Sequence, residues 1–240
     1  MRTRVFLGPS LSGAHARQRL PYAEFWPPAA LGDIHRAVLD GVHRVLIIDG
    51  YFEHVPAIWH KEILFTMSEG VEVLGAASMG ALRTAELHAY GMVGVGEIFA
   101  RYRDGLLEDD DEVAVAHADE DNDFRPVSEP MINVRWGLEI AVAEGIIGAA
   151  SANRLAALAK SVFYAERTWP RVLRAATAEI PGGELSKLAE FLRSFEPNLK
   201  RDDALLALEI AGQPLPSSGS VPGFERTNAW ACFEAAAAGC

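Results

Sequence analysis

Three short apolar runs mark the first eighty residues of the chain. They occupy residues 5–7, 45–48 and 71–74, and a polar or glycine-containing turn follows each of them. The segments between these runs place apolar residues at helical spacing, as in residues 59–67. Strands that alternate with helices form parallel sheets through right-handed crossovers. The pattern therefore predicts an α/β fold, with a Rossmann-like parallel sheet in the N-terminal half and a helical C-terminal half.

The rest of the chain is predicted to be mainly helical. Valines at alternate positions in residues 112–118 favour one more strand, and helices are expected at about 128–145, 150–164, 168–178, 184–195 and 201–211. After residue 228 an alanine-rich end is either a docking helix or a frayed tail. The predicted organisation is an α/β core at 1–125, a helical region packed on it at 126–212, and a Pro/Gly/Ser-rich linker with a C-terminal tail at 213–240.

Candidate chemistry lies in the turns after the three predicted strands. Ligands of open α/β sheets bind outside the carboxyl ends of the strands, and these turns hold Ser10, Asp49 and Ser78. Ser78 is at a strand-to-helix junction, where it is either an N-cap or a nucleophile. In the second case the amides of Met79 and Gly80 would hold an oxyanion. Asp49 either orients a histidine or caps the next turn.

A nucleophilic serine needs a base, and two neighbouring residues are candidates. His60 lies near the start of the helix after the second strand, and Lys61 follows it. Burial would lower the pKa of such a lysine and let it act as a base. Arg83 and Glu86 are three residues apart on the helix after Ser78, where they either position a substrate or pair with each other.

The charge of the chain is concentrated in one segment. The net charge is −11, but residues 106–123 hold nine acids and no Lys or Arg, and without these acids the balance is −2. Such acidity argues against a nucleic-acid partner, which needs a basic face. The carboxylates from Glu108 to Glu112 are able to hold a hard cation, but a solvated face without metal is the favoured interpretation.

Other site classes are weakly supported. Cys232 and Cys240 do not form a CxxC pair, which excludes a cysteine-only zinc site. The glycines at 8–13 lack the Gly-Lys-Ser/Thr of a Walker loop, and those at 91–96 follow a helix instead of a strand. We therefore expect no metal and no cofactor. The sequence lacks a signal-peptide pattern and a run of ~20 apolar residues, so no membrane contact and a cytoplasmic location are expected.

The sequence resembles the TfuA-like family. The similarity is dense over residues 4–135, extends less specifically to about 206, and is carried by blocks in the same order: Val5-Phe6-Leu7-Gly8-Pro9-Ser10-Leu11, Ile47-Ile48-Asp49-Gly50-Tyr51-Phe52, Trp59-His60-Lys61-Glu62-Ile63-Leu64, Gly75-Ala76-Ala77-Ser78-Met79-Gly80-Ala81-Leu82-Arg83, Tyr102-Arg103-Asp104-Gly105 and Asp110-Asp111-Glu112-Val113-Ala114.

This resemblance implies an accessory protein of peptide thioamidation in ribosomally made natural products. Its partner would be a YcaO-type cyclodehydratase, which uses ATP and Mg²⁺ that this chain does not itself bind. The TfuA-like protein would hydrolyse the C-terminal thiocarboxylate of a ubiquitin-like sulfur-carrier protein and so release sulfide. The precursor peptide is a further possible partner. The alternative is a non-catalytic adaptor that docks the YcaO enzyme and enhances it.

A second, local resemblance concerns residues 75–80. This block is similar to the sequence around the nucleophilic serine of Clp-type serine proteases, although the rest of the chain does not follow that family. The similarity supports Ser78 as a nucleophile activated by His60 or Lys61. A water activated by His60, with Ser78 only donating a hydrogen bond, is the alternative.

Overall fold

The computed structural model describes residues 1–53, 55–214 and 223–238. Within these residues five strands form one parallel sheet in the order β2-β1-β3-β4-β5. The strands are β1 (Thr3–Phe6), β2 (Glu24–Trp26), β3 (Arg44–Ile47), β4 (Glu72–Ala76) and β5 (Val93–Val95). The α/β fold class predicted from the sequence is confirmed.

Helices cover both faces of this sheet because side chains of a strand alternate between its faces. The N-terminal helices are α1 (Gly13–Arg19), α2 (Asp33–Leu39), α3 (His60–Ser68), α4 (Met79–Leu87) and α5 (Glu97–Arg103). Val45 and Ile47 of β3 pack in one core with residues of α2 and α3. Leu46 lies on the opposite face, in a core shared with α1. The unit is doubly wound.

The helical half has a core of its own and also completes the sheet. Its helices are α6 (Met131–Ala143), α7 (Ala149–Lys160), α8 (Trp169–Ala175), α9 (Gly182–Phe195) and α10 (Leu199–Ala211). The first four share one cluster of buried side chains. By contrast, Ala204, Ala207 and Leu208 of α10 pack against Leu46 on the sheet. The region predicted at 126–212 therefore supplies one layer of the α/β unit.

The C-terminal segment also docks on this unit. Trp230 of helix α11 (Asn228–Ala238) is completely buried. The centroid of the Trp230 ring lies 4.8 Å from that of the Phe65 ring on α3. Of the two alternatives for this end, the docking helix is the one formed. Residues 215–222 of the predicted linker and residues 239–240 lie outside the described residues. No helix in the described part of the chain is long and apolar enough to cross a bilayer.

Two details of the predicted strands were wrong. Residues 112–118 do not form a strand: Asp110–Glu112 make a 3-10 turn, and a single bridge joins His117 to Pro126. The apolar alternation there comes from an irregular segment that buries Val113 against the helical half. Sequence analysis also missed β2 and β5, each only three residues long and at an edge of the sheet.

Candidate functional site

The ends of β1, β3 and β4 meet at one edge of the sheet, because these strands are neighbours and run in the same direction. Asp49, only 1% exposed, joins two of these ends. Its carboxylate accepts hydrogen bonds from the amide of Gly8 at 2.9 Å, the amide of Ser10 at 3.1 Å and the hydroxyl of Ser10 at 2.7 Å. Asp49 and Ser10 thus fix the turn after β1, and within the described residues the Asp49 carboxylate accepts no hydrogen bond from a histidine.

Ser78 lies between β4 and α4 in a strained turn. Ala77 has a φ of 62°, a conformation that alanine rarely adopts, and Ser78 itself has φ −120° and ψ −122°. The hydroxyl of Ser78 is at the N-cap position but forms no capping hydrogen bond. The residue is 2% exposed. Backbone strain of this kind is concentrated at functional sites, so the geometry disfavours a purely capping serine.

Two glycines near Ser78 are required by packing. A Cβ on Gly80 would lie 1.8 Å from the carbonyl oxygen of Ile47, and one on Gly75 would lie 2.2 Å from that of Gly80. Only residues without a side chain allow α4 to approach the sheet this closely. These glycines therefore set the position of the α4 N-terminus, and with it the position of Ser78.

Two backbone amides near Ser78 are available to a ligand. The amide of Gly80 donates to the carbonyl of Ile48 at 3.3 Å, so it is directed at the sheet. The amides of Met79 and Gly50, in contrast, form no hydrogen bond within the described residues. Gly50 lies directly against Met79, since a Cβ on Gly50 would be 2.7 Å from the Met79 Cγ. Met79, predicted from the sequence, and Gly50, which was missed, therefore offer a pair of free donors.

A cavity of about 240 Å³ brings several of these groups together. Asp49, Gly50 and Ser78 form its floor together with Pro9, Phe52 and Glu53, and two segments from farther along the chain cover it, Val115-Ala116-His117 and Phe163-Tyr164-Ala165. The hydroxyl of Tyr164 donates to Glu53 at 2.8 Å. Burial, together with this carboxylate, raises the pKa of Tyr164 to about 12, so the tyrosine remains a donor at neutral pH.

Among the described residues, His117 is the histidine that borders this cavity. Its Nδ1 lies 2.7 Å from the carbonyl oxygen of Ala118, which accepts only, so Nδ1 carries a proton. In the neutral ring Nε2 is then a free acceptor. The rings of Tyr51 and Phe124 pack around the imidazole at 6.3 and 5.7 Å between centroids. Sequence analysis missed this residue because it lies in an irregular, acidic stretch.

His60 and Lys61 lie elsewhere. The Nε2 of His60 is 2.6 Å from Glu86, which is eight residues beyond Ser78, or about 12 Å along the helix. Lys61 donates to the Thr227 hydroxyl at 2.7 Å and holds the C-terminal segment. Neither residue contributes to the wall of the Ser78 cavity.

Arg83 and Glu86 pair with each other at 2.9 Å, as the sequence spacing allowed. Burial alone would raise the pKa of Glu86, but the hydrogen bond with His60 and the charge of Arg83 hold it below its usual value. Arg83 also donates to the carbonyl of Ile58 at 3.2 Å. The three side chains His60, Arg83 and Glu86 tie the start of α3 to α4.

Part of the acidic segment is neutralised inside the protein. Asp109, Asp111 and Glu112 bring carboxylate oxygens within 4.8 Å of one another. The ammonium of Lys160 contacts all three, at 3.0 Å from Asp109 and 2.9 Å from Glu112. Arg135 pairs with Glu112 and Arg167 with Asp111, each at 2.9 Å. We call this group of six side chains the Lys160 hub. Its cations come from the helical half.

The residues that line the cavity, apart from Pro9, fall within one stretch of sequence. Comparison with curated proteins found no match. The family model described as TfuA-like protein matches residues 49–168, which is half of the chain. This stretch contains Asp49, Ser78, His117 and Tyr164, and so both the floor and the cover of the cavity. The chain belongs to the TfuA-like family.

Proposed function

We propose that this protein hydrolyses the thiocarboxylated C-terminus of a ubiquitin-like sulfur-carrier protein and supplies the sulfide for peptide thioamidation. Membership of the TfuA-like family supports a role beside a YcaO-type enzyme. The observation that carries the hydrolytic role is the uncapped, buried hydroxyl of Ser78 in a strained turn. The free amides of Met79 and Gly50 beside it make the same arrangement suited to acyl transfer.

The chemistry proceeds in two stages. The Ser78 oxygen attacks the thiocarboxylate carbon and its proton passes to Nε2 of His117, while the amides of Met79 and Gly50 stabilise the oxyanion. The carbon–sulfur bond then breaks, and the departing sulfur takes the proton from His117 and leaves as hydrosulfide. Water next attacks the acyl-serine ester and regenerates Ser78. The products are a carboxylate and sulfide, so neither oxidant nor reductant is required.

His117 is assigned as the base in preference to His60 or Lys61. It borders the same cavity as Ser78 and presents a free Nε2. His60 and Lys61 are held by Glu86 and Thr227, respectively, outside the wall of the cavity. Their proposed role is therefore to position α3, α4 and the C-terminal segment. Ser10 and Asp49 shape the floor of the cavity.

The YcaO partner would consume the sulfide. In this proposal that enzyme activates the amide of the precursor peptide with ATP and Mg²⁺, and the sulfide attacks the activated carbon. A non-catalytic adaptor is the second candidate. It is favoured by the exposed acids of residues 119–123, which form no ion pair within the described part of the chain and remain free to dock a partner.

Sulfide release from a peptide C-terminal thiocarboxylate, measured without the YcaO partner, tests the proposal. Wild type should release sulfide, and Ser78→Ala should reduce the rate to background. The same variant should unfold within about 1 kcal/mol of wild type, because the lost hydroxyl makes no capping bond.

Ser194→Ala is the matched control, since the Ser194 hydroxyl bonds only within its own helix. Release by Ser78→Ala at the wild-type rate would exclude the serine mechanism. A wild-type protein that releases no sulfide alone but accelerates the YcaO enzyme would support the adaptor instead.

A further inference from the structure

A second cavity adjoins the one that contains Ser78. It has a volume of about 210 Å³, and Pro9 and Val115 belong to the walls of both cavities. Its polar wall includes Glu129 and Lys200, which the proposed hydrolysis does not use. Whatever occupies this space lies next to a group bound at Ser78.

Lys200 is a buried cation without a carboxylate partner. It is 2% exposed, and its ammonium donates to the carbonyl of Val113 at 2.8 Å. It forms no other hydrogen bond through its side chain and no ion pair within the described residues. An ammonium has three donors, so two remain. Burial lowers the pKa of Lys200 to about 8, although the charge of Asp49 opposes this.

Glu129 is a half-buried carboxyl group that also lacks a partner. Its backbone amide donates to the backbone carbonyl of Arg167 at 2.6 Å. Its side chain forms no hydrogen bond or ion pair in the part of the chain that the structure describes. Burial raises the pKa of Glu129 to about 7. The group therefore offers acceptor atoms to a ligand.

These two side chains do not pair with each other across the cavity. The buried ammonium of Lys200 has donors to spare, and the half-buried carboxyl group of Glu129 lines the same cavity without a partner in the described part of the chain. The surrounding wall contains four prolines, Pro9, Pro126, Pro130 and Pro170, which have no amide to donate. A ligand that satisfied both groups would supply an acceptor to Lys200 and a donor to Glu129.

A peptide group has this combination, one carbonyl and one N–H. The size of the space agrees, because pockets for small molecules typically exceed about 300 Å³ and each of these two cavities is smaller. Two narrow, adjoining cavities suit an extended chain, with its terminal carbon in the first and an earlier peptide group in the second.

We propose that the cavity between Glu129 and Lys200 binds a peptide group of the acyl chain that precedes the carbon attacked by Ser78. This inference rests on the proposed function and adds to it the residues that would hold the polypeptide chain before the thiocarboxylate. Lys200 would donate to the peptide carbonyl, and Glu129 would accept from the peptide N–H.

A comparison of two substrates distinguishes effects on this subsite from effects on the reaction centre. One is the thiocarboxylate of a pentapeptide, and the other is that of a single acetylated residue. Glu129→Gln and Lys200→Met should each raise KM for the pentapeptide about tenfold, the value of one hydrogen bond to a charged group. The same variants should leave kcat/KM for the single residue unchanged. Equal effects on both substrates, or no effect on either, would overturn the subsite.

Matched controls make the same chemical changes on the exposed face of α9, as Glu190→Gln and Lys187→Met. Glu129→Gln keeps the shape of the side chain, so it decides the question should Lys200→Met fail to fold.

Calorimetry makes the result independent of hydrolysis. The pentapeptide with an ordinary C-terminal carboxylate is titrated into Ser78→Ala, alone and combined with Glu129→Gln. About tenfold weaker binding of the pentapeptide to the protein that also carries Glu129→Gln supports the subsite. This holds even if wild type releases no sulfide, because that result would refute only the hydrolytic function. Equal affinity of the two proteins, or no binding to Ser78→Ala, overturns the subsite.

Discussion

The segment at 109–118 borders two clusters of polar side chains that are organised in opposite ways. At its start, the carboxylates of the Lys160 hub each contact a cation. At its end, Val115 and His117 cover the cavity that contains Ser78 and Gly50. Within the described residues, Nε2 of His117 and the amides of Gly50 and of the neighbouring Met79 have no hydrogen-bond partner. One cluster is internally satisfied and the other is not.

This difference assigns a structural role to the Lys160 hub and a chemical role to the cavity. Unpaired buried polar groups cost free energy, so a fold retains them where a ligand or a reaction uses them. Paired charges need no such use, and the hub joins the helical half to the α/β core through Lys160 and Arg167. The hub therefore holds the cover of the cavity in place, while the cavity carries the proposed reaction. Changes in the two clusters should affect different measurements.

The largest effect is expected for His117→Gln. Loss of a general base typically reduces a rate by 10²–10⁴-fold, and sulfide release should fall in this range. Thermal unfolding should change little, because the ring makes one hydrogen bond within the described residues.

The control for this variant is His15→Gln, since His15 is exposed and does not line the cavity. Sulfide release by His117→Gln at the wild-type rate would show that His117 is not the base of this reaction.

Lys160→Met should show the opposite behaviour, a loss of stability with little change in chemistry. Removal of one partner of a buried ion pair costs about 3–5 kcal/mol, and Lys160 is 30% exposed, so about 2 kcal/mol is expected. For a chain of this length the melting temperature should fall by roughly 4–8 °C. Lys187→Met, on an exposed face, should leave it unchanged.

The pH dependence of this loss follows from Asp111. Burial would raise its pKa, but hydrogen bonds from Lys160 and Arg167 hold it below the ordinary 3.8. A lowered carboxylate pKa stabilises the fold above the unfolded value, and the contribution vanishes as pH falls through the folded value. The stability difference between wild type and Lys160→Met should therefore be constant above about pH 5 and shrink in stronger acid. A difference that grew in acid would contradict this assignment.

The sequence predicted the framework of the site better than its cover. Apolar runs with glycine turns located β1, β3 and β4, and the order of parallel strands then placed Ser10, Asp49 and Ser78 at one edge. His117 had no comparable signal, because its position depends on a long irregular segment folding back over the sheet. Sequence proximity to the second strand favoured His60, but the helix it begins directs it toward Glu86.

The partners of the acidic segment at 106–123 also could not be predicted from the sequence. In the sequence its acids form one run, and Arg101 and Arg103 are the cations that precede it. In the structure Arg101 pairs with Glu97 and Glu139, and Arg103 with its neighbour Asp104. The cations that neutralise the first part of the segment come from residues 135–167, which no local pattern links to it.

The smallest predicted effect concerns the exposed end of this segment. Its acids differ from those of the Lys160 hub, which are paired with cations. Asp119, Glu120, Asp121 and Asp123 form no ion pair with any described residue, so their field extends into solvent. Exposed charges of one sign mainly accelerate the encounter with an oppositely charged partner. Changing these four residues to Asn or Gln should therefore slow association with the sulfur carrier or the YcaO enzyme by about 3–10-fold at low salt.

Salt and a matched variant test this explanation. Screening acts over about 8 Å at physiological ionic strength, so the difference from wild type should vanish toward 1 M salt, where the screening length is about 3 Å. The control changes four other exposed acids, Glu69, Glu144, Glu190 and Glu209, to Gln and so alters the net charge equally. Hydrolysis of a small thiocarboxylate should be the same in all three proteins. An association rate for the segment variant equal to that of the control, at low salt, would mean that net charge alone acts and that these carboxylates form no docking surface.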